Sequence, residues 1–235
     1  MSEAPSGDDG PPGPKADKSG VAEKYDRGAS TYAERTHADP DAVARRQAEL
    51  VLGWGTPVKP GASVLELGCA DGLVTAELAR RGLLATAVDL SPKMIETARR
   101  RLSREGLDAE FVVGDACEVR GLSGDDKVFD VTLAMMRTFF HYVDHPARTL
   151  AEMKEKTRVK ILVDVNPRAS SIRTAVEMVR KAGFVQVTWR GFFVPQSFKV
   201  PAWVHKALEQ GERVPGLNRA VASVKFHAVV KGEIR

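Results

Sequence analysis

The sequence predicts a doubly wound α/β fold, with a seven-stranded, mostly parallel sheet, helices on both faces and a helical cover ahead of it. Three observations predict this. From residue 63 to about residue 190, short apolar runs alternate with amphipathic helical stretches. The first apolar run, in "VLELGCADGLVT" (Val64–Thr75), passes through closely spaced glycines straight into a helix, as in a ligand cradle. Three successive strands carry an acid at or beside their ends: Glu66, Asp89 and Asp115.

The elements are read in chain order. Residues 1–20 are Pro, Gly, Ser and charge, with almost nothing to bury, and are expected to be a disordered tail. Residues 21–60 form the helical cover, with Val43, Gln47, Leu50 and Val51 on one helical face and Asp39 placed to cap a helix beginning at Pro40. Strands are expected at 63–67, 85–89, 109–113, 129–134, 159–165, 184–190 and 224–231. Helices are expected at 73–81, from Ser91 and Pro92 to Gly106, at 147–156 and at 171–182. Residues 21–235 are read as one domain. The linker 191–223 is long for a plain connection and has the length of a lid.

Composition narrows the function classes. The chain has 235 residues, 43% hydrophobic and 28% charged, enough for a buried core. No apolar run reaches the roughly 20 residues of a membrane span, and the N-terminus does not read as a secretory signal, so a cytoplasmic setting is expected. Two cysteines, Cys69 and Cys117, outside any CxxC pair, make neither a disulfide framework nor a metal site. The net charge of +4 fits a mildly basic protein better than a nucleic-acid binder. Arg99, Arg100 and Arg101 read as a solvated helix face.

The glycine turn separates two cofactor classes. A dinucleotide fingerprint, G-x-G-x-x-G, would need its last glycine where Leu73 stands. The pattern here is E-x-G-x-A-x-G, through Glu66, Gly68, Ala70 and Gly72. An alanine at position 70 is tolerable if its φ is negative. An acid at the second strand tip, Asp89, is placed to accept ribose hydroxyls, because Ser91 already supplies the cap of the next helix.

"LELGCADG" resembles the first motif of the class I S-adenosylmethionine-dependent methyltransferases, whose usual form is [DE]-x-G-x-G-x-G. The departure is Ala70. "D-x-S-x-x-M" at Asp89–Met94 is similar to the same family. "YDRGASTYAER" resembles the element ahead of the core in the ubiquinone/menaquinone-biosynthesis-like branch, which acts on small molecules. The resemblance implies a Rossmann-like methyltransferase fold with S-adenosyl-L-methionine as cofactor and S-adenosyl-L-homocysteine as product. It implies a cradle of Glu66, Gly68, Cys69, Ala70 and Gly72, and ribose bonding by Asp89. Leu90 and Met94 pack near the adenosine, and Gly114, Asp115 and Ala116 meet the adenine. Met135 and Met136 line the methionine end. Tyr25 and Tyr32 face the sulfonium, a cation–aromatic contact worth about 0.5–2 kcal/mol, and Arg35 meets the methionine carboxylate.

After the fourth strand, "FFHYVDHPARTLAEM" resembles the acceptor-side segment of that branch. It makes His141 the candidate base or orienting group, with His145 one turn on and exposed. Arg137 and Arg168 lie near strand tips. Phe192, Phe193, Phe198 and Trp203 in the linker are read either as a roof over an aromatic or lipid-like acceptor or as packing onto the last helix. The reading is a methyltransferase acting on a small molecule, at a hydroxyl oxygen. The competing readings are an RNA or protein methyltransferase and a cofactor-binding regulator without catalysis. A homodimer and the identity of the acceptor stay open.

Overall fold

The computed structural model describes residues 18–122, 126–135, 139, 143–166, 171–194, 199–212, 214 and 227–234. The cover comprises α1 (Lys18–Asp26), a 3-10 turn (Ala29–Thr31), α2 (Tyr32–Thr36) and α3 (Pro40–Gly53). Residues 18–20, expected in the tail, are helical. Asp39 caps α3 by accepting from Ala42 N at 3.1 Å, and Pro40 follows at the first helical position, where its missing N–H costs nothing.

The core runs β1 (Ser63–Leu67), α4 (Leu73–Arg80), β2 (Leu84–Asp89), α5 (Pro92–Arg104), β3 (Glu110–Val113), β4 (Phe129–Ala134), α6 (Pro146–Glu155), β5 (Thr157–Val165), α7 (Ile172–Lys181), β6 (Val185–Phe192), α8 (Ala202–Gly211) and β7 (His227–Glu233). The sheet order is β3-β2-β1-β4-β5-β7-β6. Strands β1 to β5 pair in parallel, and β7 runs antiparallel between β5 and β6. The seven-stranded, mostly parallel sheet is therefore as expected. Helix α8 is an addition: it lies inside the long 191–223 linker, where no helix was assigned, and it starts just after Pro201.

Strand alternation sorts the core onto two faces. Val64, Val131, Leu133, Leu162 and Val229 pack with α3 and α4. Leu65, Leu67, Ile161, Val163 and Val230 pack with α6 and α7. All four expected residues of α3, Val43, Gln47, Leu50 and Val51, are buried.

Two polar anchors fix α3 over its face. Fully buried Lys160 of β5 donates to the carbonyls of Trp54 and Thr56, at 2.8 and 2.7 Å, just beyond the end of α3. Burial, with the Lys231 charge nearby, lowers the Lys160 ammonium to about 8. On the other side, buried Arg46 of α3 donates its Nε to Glu212 at 3.0 Å, and Glu212 also accepts from Phe193 N at 2.9 Å. His205 of α8 lies 3.3 Å from Asp39. Helix α8 and the end of β6 are thus tied to the cover. Phe192 and Phe193 are buried in place, whereas Trp203 is 72% exposed. Of the linker aromatics, Trp203 is thus turned outward on α8, and Phe198 falls outside the described residues.

Candidate functional site

The site grows from the end of β1. Glu66 alternates with Leu65 and Leu67, so it points to the same face as Val64, beneath α3 and α4. It is 4% exposed, and its Oε2 accepts from Thr75 Oγ1 at 2.6 Å. Burial pushes its carboxyl up to about 8, and the neighbouring Asp89 and Asp71 charges add to this against the Thr75 hydrogen bond.

The chain then turns through three residues of positive φ: Gly68 at 74°, Ala70 at 48° and Gly72 at 73°. The condition under which an alanine is easily tolerated at position 70, a negative φ, is not met. Ala70 N donates to Asp89 Oδ2 at 2.9 Å, and Gly68 N and Cys69 N both donate to Val88 O, so the turn is wound onto the end of β2. That winding forces the left-handed conformation on the alanine. Gly72 is required twice over, because a Cβ there would lie 2.6 Å from Ala98 Cβ on α5. Cys69 is buried, which pushes its thiol well above the ordinary range and removes it as a nucleophile.

Asp89 accepts from Ala70 N and, through Oδ1, from Ser91 N at 2.9 Å. Burial raises its carboxyl despite these two bonds. Ser91 Oγ caps α5 by accepting from Met94 N at 3.1 Å, and it donates to Asp26 of α1. Leu90 is half-buried and Met94 fully buried behind this cap. Past β3, Gly114 N donates to Asp89 O at 3.0 Å, and Asp115 Oδ1 accepts from Cys117 N at 2.9 Å, with Ala116 half-buried between them. Lys18 of α1 pairs with Asp115 and lies 3.1 Å from Asp144. Burial would raise the Asp115 carboxyl, but Lys18 and Cys117 N outweigh it and hold it below the usual range.

A cavity of about 50 Å³ adjoins the turn, lined by Tyr32, His37, Gln47, Glu66 and Gly68 to Asp71, among others. The structure thus brings together Tyr32, Glu66, Gly68, Cys69 and Ala70 of the expected set. Tyr25 stacks edge-on against Tyr32 with ring centroids 5.8 Å apart, but does not line the cavity. Arg35 is exposed, with its guanidinium beside Gly28. Met135 is buried within the cluster that includes Leu73 and Val74. His145 is exposed. Met136, Arg137, His141 and Arg168 fall outside the described residues.

Four contributors were not foreseen: Lys18, Asp26, His37 and Gln47. The glutamine had a visible signal, a polar amide inside an otherwise apolar helical stripe. Arg101 also departs from expectation. It is no solvated residue, because it donates to Asp71 Oδ2 at 2.7 Å and to Asp71 O at 3.0 Å, bracing the turn, while Arg99 and Arg100 are exposed.

Residues 64–160 match the model of a methyltransferase domain. The chain is 31% identical over 157 residues to a magnesium-protoporphyrin O-methyltransferase of Rhodobacter capsulatus, covering 66% of this chain and 62% of the relative. Residues 64–160 are thus similar to a methyltransferase domain, the segment that carries the glycine turn and the strand-end acids. A second relative, a ubiquinone biosynthesis O-methyltransferase of Methylocella silvestris, is 39% identical over 75 residues, which is 32% of this chain and 28% of the relative. The chain therefore spans less than two thirds of the length of these two relatives.

The methyltransferase fold extends beyond the matched segment. The structure of magnesium protoporphyrin IX methyltransferase from Synechocystis PCC 6803 with bound SAM aligns at a TM-score of 0.64 and 15% identity, over 93% of this chain and 97% of that one. The 4+2 cyclase SpnF aligns at 0.66 and 16% identity, over 95% and 97%. The fold is thus secure, and it does not by itself specify a reaction. The donor set here suits an adenosyl cofactor. Carboxylates stand at the tips of adjacent strands, the glycine turn lies between them, and a buried amide, Gln47, has both polar atoms unpaired among the described residues. Among those residues no helix is long and apolar enough to cross a membrane.

Proposed function

We propose that this methyltransferase moves the methyl group of S-adenosylmethionine to a hydroxyl oxygen of a small-molecule acceptor. One observation carries the reading: Glu66, Asp89 and Asp115 stand in order on adjacent strands around a glycine turn. The O-methyltransferase names of the two relatives support oxygen as the acceptor atom and a small molecule as its carrier.

The cofactor supplies an electrophilic methyl on a sulfonium. The chain's own work is to bind, orient and exclude water. In this reading Asp89 accepts from the ribose hydroxyls while Ala70 N and Ser91 N hold it in place. Leu90 and Met94 flank the adenosine. Asp115, with Gly114 and Ala116, takes the adenine amino group, and Lys18 yields its hold on Asp115 as that bond forms. Gly68, Cys69 and Gly72 let the ligand approach the backbone of the turn, and Tyr32 closes over it from the cover. Tyr25 supports Tyr32 from outside the cavity. Arg35 keeps its assignment to the methionine carboxylate only if α2 reorients, since its side chain is exposed as it stands. Met135 and Met136 bound the methyl end, and His141 takes the acceptor proton.

The test is calorimetric titration of the purified protein with S-adenosylmethionine, S-adenosylhomocysteine and NADH, repeated with Asp89→Ala. Micromolar-range binding of the two adenosyl ligands, none of NADH, and a loss of about tenfold or more in the variant are expected. Silence toward both adenosyl ligands would sink the reading. Binding licenses a screen of phenols, quinols and sugars as acceptors, followed by His141→Ala.

A further inference from the structure

We infer that Gln47 is a cofactor-binding residue whose side-chain amide holds the amino-acid end of S-adenosylmethionine. The inference rests on the cofactor reading above and adds a residue to it. The starting point is topology. The sheet order places Asp115 at the β3 tip, Asp89 at the β2 tip, and then the β1 turn before β4. A ligand with adenine at Asp115 and ribose at Asp89 therefore lays its remaining end over the turn from Gly68 to Leu73. Gln47 is the amide that lines the cavity there, together with Glu66, Gly68 and Tyr32.

The state of that amide points to a ligand. Gln47 is 1% exposed, and neither its Oε1 nor its Nε2 has a hydrogen-bond partner among the described residues. Buried polar groups are almost always paired, and an unpaired one is costly. The side chain cannot escape by moving with its helix. The preceding residue, Arg46, is tied to Glu212, and the chain just past α3 is tied to Lys160. An apolar side chain of the same size would fill this place at lower cost, so an amide here needs a guest.

The chemistry of the guest follows from the amide. It offers one acceptor oxygen and two donor hydrogens on a neutral group. An α-amino acid presents the complement: an ammonium for the oxygen and a carboxylate for the NH2. Glu66 lines the same cavity and can share the ammonium. The cavity is about 50 Å³, so seating the amino-acid end requires its lining to open.

The experiment compares two ligands on two proteins. S-adenosylhomocysteine carries the amino-acid end, and methylthioadenosine keeps the adenosine and thioether without it. Both are titrated calorimetrically into wild type and Gln47→Met, a change that keeps length and removes the amide. The expected result is S-adenosylhomocysteine weakened about tenfold or more, methylthioadenosine unchanged within about twofold, and a ligand-free Tm equal to or above wild type. Unchanged S-adenosylhomocysteine affinity in the variant would overturn the inference and leave Gln47 as a hydrated structural amide. An equal loss for both ligands, or a lowered Tm, would overturn it in favour of a packing role. Failure of wild type to bind either ligand would instead overturn the cofactor reading itself.

Discussion

Replacing Ala70 by glycine should stabilise this protein, although it deletes a methyl group and loosens the unfolded chain. Ala70 sits at φ 48°, in the left-handed region. A non-glycine residue there costs roughly 1–2 kcal/mol. Glycine removes that strain but adds conformational entropy to the unfolded state, worth roughly 0.4–1 kcal/mol. The bond from Ala70 N to Asp89 is made by backbone and survives the change. The net gain is about 0.5–1 kcal/mol, or a Tm rise of about 2 °C for a chain of this size. The assay is thermal and urea unfolding of the ligand-free protein, followed by circular dichroism and tryptophan fluorescence. Gly72→Ala is the companion. It adopts φ 73° and would press its methyl against Ala98 at 2.6 Å, so it should lose roughly 2–4 kcal/mol. An Ala70→Gly variant less stable than wild type by more than about 0.5 kcal/mol would refute the assignment of strain to the turn.

Two further outcomes test the buried charges. Glu66 is raised to about 8 from 4.5, so between these values the folded protein keeps a proton that the unfolded chain has lost. Its contribution to stability is present below about pH 4.5 and is lost as pH climbs through about 8. Glu66→Gln lacks this dependence, so its stability relative to wild type should grow steadily from pH 5 to pH 8 in urea unfolding. Parallel curves would show an ionised Glu66. The buried Arg46–Glu212 pair should behave asymmetrically. Glu212→Gln leaves the buried Arg46 charge with Glu49 as its one ion-pair partner among the described residues, at about 3 kcal/mol, while the double change to methionine recovers most of that loss. A single-variant cost within about 0.5 kcal/mol of zero in urea unfolding would refute the burial argument.

Much of the site was legible because its signals are local. Ser91 and Pro92 announce the start of α5 within two residues, and the structure confirms the cap. The acids are legible for the same reason, since each stands at or beside a strand end that a short apolar run marks out. Gly72 shows its role through its spacing to Gly68. Ala70 was misjudged because its φ is set by a hydrogen bond to Asp89, nineteen positions away, which no local pattern records. Helix α8 was missed because residues 191–223 lack the strand–helix rhythm on either side, and its position depends on Glu212 and His205 reaching back to α3.

The sequence by itself determined the fold class, the acids at three successive strand ends and the glycine turn, and it pointed by resemblance to an adenosyl cofactor. These follow from periodicity, capping and residue type, which act over a few positions. Tertiary structure alone decided that Gln47 is an amide beside the turn with no partner among the described residues. It alone placed Lys18 on Asp115 and turned Trp203 away from the core. It also decided that Arg101 braces the turn through Asp71. Each of these depends on which distant side chains share a small buried volume. Packing and the exclusion of water set that, because a polar group's partner is chosen by whatever chain segments happen to close over it.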